Sequence, residues 1–179
     1  MQHVGADGLD ASDLDRLTQL ASQPSEGPAQ DLTRTLLIIP CSGGKDGAAD
    51  PGFPQCGISD YVTSSAAAMI QSGREEAFRR PGTLLDTSSP LRPALAWYTG
   101  QPYKTGGVRE GLVTAMRLGL HCLILSGGYG IVLPQEPIHS YRAHISKTRS
   151  VWSNRTPQTL RDYVANNHIL RSIGTYSSQ

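Results

Sequence analysis

Two short segments carry the residue types that could do chemistry. Pro40-Cys41-Ser42-Gly43-Gly44-Lys45 puts a thiol, a hydroxyl and an amine around a glycine pair. Ser126-Gly127-Gly128-Tyr129-Gly130 repeats the small-residue pattern with an aromatic ring inserted. Glycines let a ligand approach the backbone, whose N–H groups can cradle an anion. Lys45 would add a point charge and Ser42 a hydroxyl donor. Tyr129, flanked by glycines, would either stack on a flat ligand such as a base or plug the loop onto the core. Tyr141-Arg142 follows soon after, and its guanidinium suits a bidentate phosphate or carboxylate contact. The alternative for each loop is a tight turn with a solvated lysine, and for Tyr141-Arg142 a surface loop anchored by a half-buried ring.

Cys41 is a weak candidate nucleophile, because a nearby lysine can lower a thiol pKa. No Cys-His pairing is assignable, and His139 and His144 receive no role. Neither loop matches a Walker A or G-x-G-x-x-G pattern, so no nucleotide cofactor is implied. Three cysteines without C-x-x-C spacing imply neither a disulfide framework nor a zinc finger, and a reducing cytoplasmic setting is expected. No metal site is expected. Trp97, Tyr98 and Tyr103 interleave with Lys104 in a pattern that can bind single strands, though core packing of Trp97 is the better expectation.

Both loops need strands behind them. Leu36 to Ile39 and Cys122 to Ser126 are short apolar runs without polar alternation, the pattern of strands buried on both faces. In open α/β sheets ligands settle beyond the carboxyl ends of such strands. If the two strands are neighbours, the two loops share one crevice. Helices are expected within Ile58 to Phe78, at Ala94 to Tyr98, and over Val108 to Leu118 with Gly119 as its C-terminal cap. Another is expected from Thr156 as N-cap with Pro157 in its first turn. His168 to Gln179 reads as a third strand.

The fold class expected is therefore α/β, a small layered, mainly parallel sheet with helices. Residues 1–34, with one short helix around Leu14, Leu17 and Leu20 and a linker over Ser22 to Gln30, are peripheral. Residues 35–179 form the domain. Three strands make a thin sheet, and C-terminal sequence missing beyond Gln179 is the favoured explanation. A net charge of +1 in 179 residues means that nucleic acid would be met by a local patch and not by the overall field. No run approaches about 18 apolar residues, so no membrane partner is expected.

The order of these motifs resembles the YaaA family of peroxide-stress proteins and its small relatives. LLIIPCSGGK stands where the family has its first strand and S-P-A-K loop, with Ser42 and Lys45 as matches. ALAWYTGQPY stands for the family's Y-T-G turn. LSGGYGIVLPQEPIHSYR stands for L-S-G-L-Y-G-x-L-x-P-x-D-x-I-x-P-Y-R, and Trp152 has a counterpart. The resemblance covers about residues 35 to 155. Gly128 replaces a Leu, Glu136 an Asp and Ser140 a Pro, and the later N-x-A-S-x-E-Y segment has no counterpart. The PCS-x-x-K variant also resembles the strand-loop of archaeosine-synthase-type tRNA-modifying proteins. The resemblance implies a cytoplasmic bacterial α/β protein linked to peroxide stress, binding nucleic acid or a nucleobase- or nucleotide-like ligand. Ser42, Lys45, Ser126, Gly127, Tyr129, Gly130, Tyr141 and Arg142 are its expected contacts. Alternatives are a nucleobase-, nucleoside- or tRNA-modifying enzyme, and an inactive paralogue.

Overall fold

The computed structural model describes residues 31–45, 47, 52, 54–101, 103–104 and 106–174. The expected helix near Leu14 and the Ser22–Gln30 linker lie outside them. The apolar run becomes strand β1 (Thr35–Pro40), with Leu36 and Leu37 completely buried. Adjacent strand residues point to opposite faces, so both faces need cover. β1 pairs in parallel with β4 (His121–Ser126) on one side, Leu37 opposite Cys122. On its other side it pairs in parallel with β8 (Arg171–Gly174).

The sheet has four strands where three were expected, in the order β5-β4-β1-β8. The extra strand, β5 (Gly130–Val132), runs antiparallel to β4, with Ser126 opposite Gly130. The second glycine-rich segment is thus a hairpin turn. Gly130 closes it at φ +72°, a left-handed conformation that a side chain resists.

Helix α1 (Ser64–Phe78) packs one sheet face through Ala66 and Ile70, beside Tyr163 of α4 (Ile145–Asn166). The opposite face is covered by the one-turn α2 (Ala94–Trp97) and by α3 (Val108–Arg117), through Leu95, Tyr98, Leu112 and Ala115. The result is a helix–sheet–helix sandwich, as the α/β class requires. Gly119 caps α3 at φ +100° as expected. Two small ribbons cross the carboxyl end. β2 (Leu84–Asp86) pairs antiparallel with β7 (Ser140–Arg142), and β3 (Arg92–Pro93) with β6 (Pro137–Ile138).

The helix expected within Ile58 to Phe78 is found there, and one helix start differs from expectation. Ile58–Asp60 is a separate 3-10 turn, and α1 begins after Thr63, whose Oγ1 accepts from Ala66 N at 3.3 Å. Asp162 fixes that cap by accepting from Thr63 N at 2.7 Å and from its hydroxyl at 3.0 Å. The start that differs is that of α4, which begins at Ile145, so Pro157 lies inside it and Thr156 is no cap. His144 Nδ1 caps the true start by accepting from Ser146 N. Val151 and Trp152, buried in the first half, hold the helix across a proline that has no N–H to donate. The fold also starts earlier than Thr35, because Leu32 already packs against the core.

Candidate functional site

The adjacency of β1 and β4 brings both glycine-rich segments to one end of the sheet, as expected, but only one is accessible. Ser126, Gly127, Gly128, Tyr129 and Gly130 are all buried. Trp152 of α4 covers the turn and donates its Nε1–H to the Gly127 carbonyl at 2.9 Å. Tyr129 is the plug and not an exposed stacking platform. Its ring meets Phe78 and Tyr141 edge-on at 5.2 and 5.1 Å, and its hydroxyl accepts from His139 N at 3.1 Å. The physical reason is the lid: with Trp152 over the turn, the ring has only the core to enter.

Ser126, likewise expected to touch a ligand, is fully engaged. Its Oγ accepts from Tyr129 N at 3.0 Å and lies 2.7 Å from the Tyr141 hydroxyl, which in turn lies 2.9 Å from that of Tyr98. This is a closed chain of hydroxyls beneath the site. Burial pushes the Tyr98 and Tyr141 phenols far up, so both stay neutral. Ser42 is also spent: it donates to the Gly44 carbonyl at 2.8 Å and accepts from Gly100 N at 2.7 Å. Its work is to tie the first loop to the Tyr98-Thr99-Gly100 segment.

What remains open is a cleft of about 350 Å³ beyond β1. Gly43 and Lys45 line it from the first loop, Asp86, Ser140 and Arg142 from the β2–β7 ribbon, and His144 from the start of α4. In the antiparallel ribbon Leu84 lies opposite Arg142 and Asp86 opposite Ser140, so these four share a face and Leu85 and Tyr141 take the other. Lys45 Nζ donates to the Ser42 carbonyl at 2.8 Å and stands 4.3 Å from the Tyr141 ring centroid and 5.7 Å from that of Tyr98. Burial lowers the Lys45 pKa, and the nearby Cys41 only partly opposes this. Arg142 is exposed, and among the described residues no carboxylate pairs with it. Asp86 is held ionised chiefly by the Ser88 hydroxyl.

Of the expected contacts, Lys45, Tyr141 and Arg142 line this cleft, whereas Ser42, Ser126, Gly127, Tyr129 and Gly130 form its foundation. Asp86, Ser140 and His144 were missed. Only the ribbon pairing brings Asp86 to Arg142, and no local pattern announces it. The histidines without a role are structural: His144 caps α4, and His139 Nδ1 donates to the Ser89 carbonyl at 2.7 Å. Trp97 and Tyr103 are core residues, as was the better expectation for Trp97. Glu136 ties the foundation from below, with Oε1 2.7 Å from Arg74 and Oε2 accepting from Ile58 N and Leu133 N.

Cys41, Cys56 and Cys122 are free thiols. Among the described residues no three His, Cys, Asp or Glu side chains converge as metal ligands, and no helix is long and apolar enough to cross a membrane. Comparison with protein-family models, curated proteins and solved structures finds no match.

Proposed function

We propose that the cleft binds the phosphate or carboxylate of a nucleotide-like ligand or of a nucleic-acid strand, as a YaaA-like protein linked to peroxide stress in the bacterial cytoplasm. One observation carries this reading: Lys45 and Arg142, which has no carboxylate partner among the described residues, border the same cleft at the carboxyl end of adjacent parallel strands. Two cations bordering one cleft attract an anion, and the exposed backbone of Gly43 leaves room for close approach. The volume is at the lower end for small-molecule sites. It suits one nucleotide unit better than a duplex. With Tyr129 buried, base recognition falls to the ribbon face, where Asp86 can accept from N–H groups and Leu84 offers apolar contact.

An enzymatic reading, acting on a base, nucleoside or tRNA, draws on the proximity of Cys41 to Lys45, whose charge it influences. Turnover lost in Cys41→Ser would favour it. The test of the main reading is equilibrium binding of nucleoside monophosphates and short single-stranded oligonucleotides at several salt concentrations. Affinity that falls with salt, and weakens in both Lys45→Ala and Arg142→Ala, is the expected result. Salt-independent binding, or affinity untouched by both substitutions, would overturn it. A cooperatively folded chain indifferent to every anion would be an inactive paralogue.

A further inference from the structure

The chain has three lysines, Lys45, Lys104 and Lys147. Lys104 and Lys147 are exposed, whereas Lys45 is half-buried and lines the open cleft beyond β1. Among the described residues no carboxylate pairs with Lys45. Neutral groups fix its amine instead: Nζ donates to the Ser42 carbonyl at 2.8 Å and stands 4.3 Å from the Tyr141 ring centroid. A charge taken out of water is ordinarily paired. An amine held this way is better suited to work in its neutral form.

The Ser42 carbonyl takes one N–H whether the amine carries two hydrogens or three. Loss of the proton therefore leaves that hydrogen bond in place and frees a lone pair on nitrogen. Burial shifts the balance toward this neutral form. Lysines that are desolvated, or set beside another cation, are the ones that attack carbonyl carbons. Arg142 supplies the second cation: it borders the same cleft, stays charged at every working pH, and matches a carboxylate or phosphate in shape. One cleft thus joins a positioned amine to a fixed positive charge.

We propose that Lys45 forms an imine with a small aldehyde that carries a carboxylate or phosphate, the anionic group lying against Arg142. The proposal rests on the reading of this cleft as an anion site and adds a covalent step to it. The Nζ lone pair bonds to the aldehyde carbon as the C=O π pair moves to oxygen. A C=N bond then replaces the C–O bond, and the oxygen leaves as water with the two hydrogens that nitrogen has lost. Amine and aldehyde give imine and water, with no oxidant or reductant required.

The test is reductive trapping of the full chain with cyanoborohydride, followed by quantitative peptide mass spectrometry of all three lysines. Succinic semialdehyde is compared with butanal, and glycolaldehyde phosphate with glycolaldehyde, so each anionic aldehyde has a neutral counterpart. At least one anionic aldehyde should label Lys45 about tenfold faster than Lys104 and Lys147, a preference the neutral aldehydes lack. The pair with the larger contrast tells carboxylate from phosphate. Labelling of Lys45 should level off at a lower pH than that of the other two lysines. Arg142→Ala should slow it at least about threefold and leave Lys104 and Lys147 unchanged. Lys45 labelled no faster than the exposed lysines, or equally well by the neutral aldehydes, overturns the proposal. Nucleoside monophosphate binding to the same protein is the separate readout. If it persists while Lys45 is not enriched, only the imine is lost; if it is absent as well, the anion reading falls too.

Discussion

Lys45 Nζ stands 4.3 Å from the centroid of the Tyr141 ring and donates to the Ser42 carbonyl at 2.8 Å, so the amine of the open cleft rests on the buried hydroxyl chain. The ring face and the carbonyl both favour the ammonium form, yet burial outweighs them and lowers the pKa. The site therefore holds a cation where the bare protein gains little from it. Groups arranged at the expense of stability are characteristic of binding sites.

Lys45→Met tests that balance. A lysine whose folded pKa lies below its ordinary value of 10.5 contributes stability that is fully present above the unfolded pKa. That contribution is lost as pH falls through the folded pKa. Near neutral pH the wild type bears the cost of the buried charge. Lys45→Met should melt at the same temperature or higher there, and should lack the wild type's relative gain as pH rises toward the unfolded value. Anion affinity should fall at the same time. Melting curves across that pH range check this, and a clearly lower neutral-pH Tm would show that the ammonium stabilises the loop.

Ser42→Ala removes a hydroxyl that serves Gly100 N and the Gly44 carbonyl together. Leaving a buried donor unpaired costs about 1–3 kcal/mol. The urea midpoint should fall accordingly, with ligand affinity falling through disorder of the loop and not through a lost ligand contact. An unchanged midpoint with lost binding would instead return Ser42 to the role of direct contact.

The parts of the fold legible in the sequence were those that rest on burial from both sides. LLII and CLILS have no polar alternation because helices cover both faces, so β1, β4 and their shared end could be read directly. β5 could not: its three residues, Gly130–Val132, follow a glycine run that reads as loop, and pairing with β4 makes them a strand. Pro157 gave a local start signal that the packing of Val151 and Trp152 overrode. In the site, Lys45 and Arg142 were legible because their charge has few other uses near strand ends. Ser42, Ser126 and Tyr129 have the same residue types as ligand contacts but spend every polar atom on the fold, which only coordinates can show.

The two glycine segments should respond oppositely to substitution. At Gly130 a Cβ would collide with the Trp152 ring, and φ +72° already disfavours a side chain. Gly130→Ala should cost about 2 kcal/mol or more, from the backbone penalty and the displaced indole. At Gly43 a Cβ would meet nothing within 4 Å, so Gly43→Ala should change stability by no more than about 0.5 kcal/mol. Denaturant titration of both variants checks the contrast, and equal costs would mean that the hairpin turn is not roofed by α4.

Glu136 gives the largest stability effect expected. Its carboxylate joins Arg74 of α1, the Ile58 amide and the Leu133 amide, so one side chain joins three segments. Arg74 is committed elsewhere too, donating to the Tyr129 and Ile131 carbonyls at 3.1 Å each. Glu136→Gln would leave a mostly buried guanidinium without its countercharge, a change that costs about 3–5 kcal/mol. Arg74→Met would strand the carboxylate at a similar cost. The double variant should then cost clearly less than the two single costs added, because neither charge is left alone. Glu136→Asp, the residue that the YaaA resemblance has here, is one methylene shorter and should lose the Arg74 contact or an amide contact, with an intermediate cost. A double-mutant cycle by urea unfolding checks this: additive costs would mean that the pair is only a neighbouring contact.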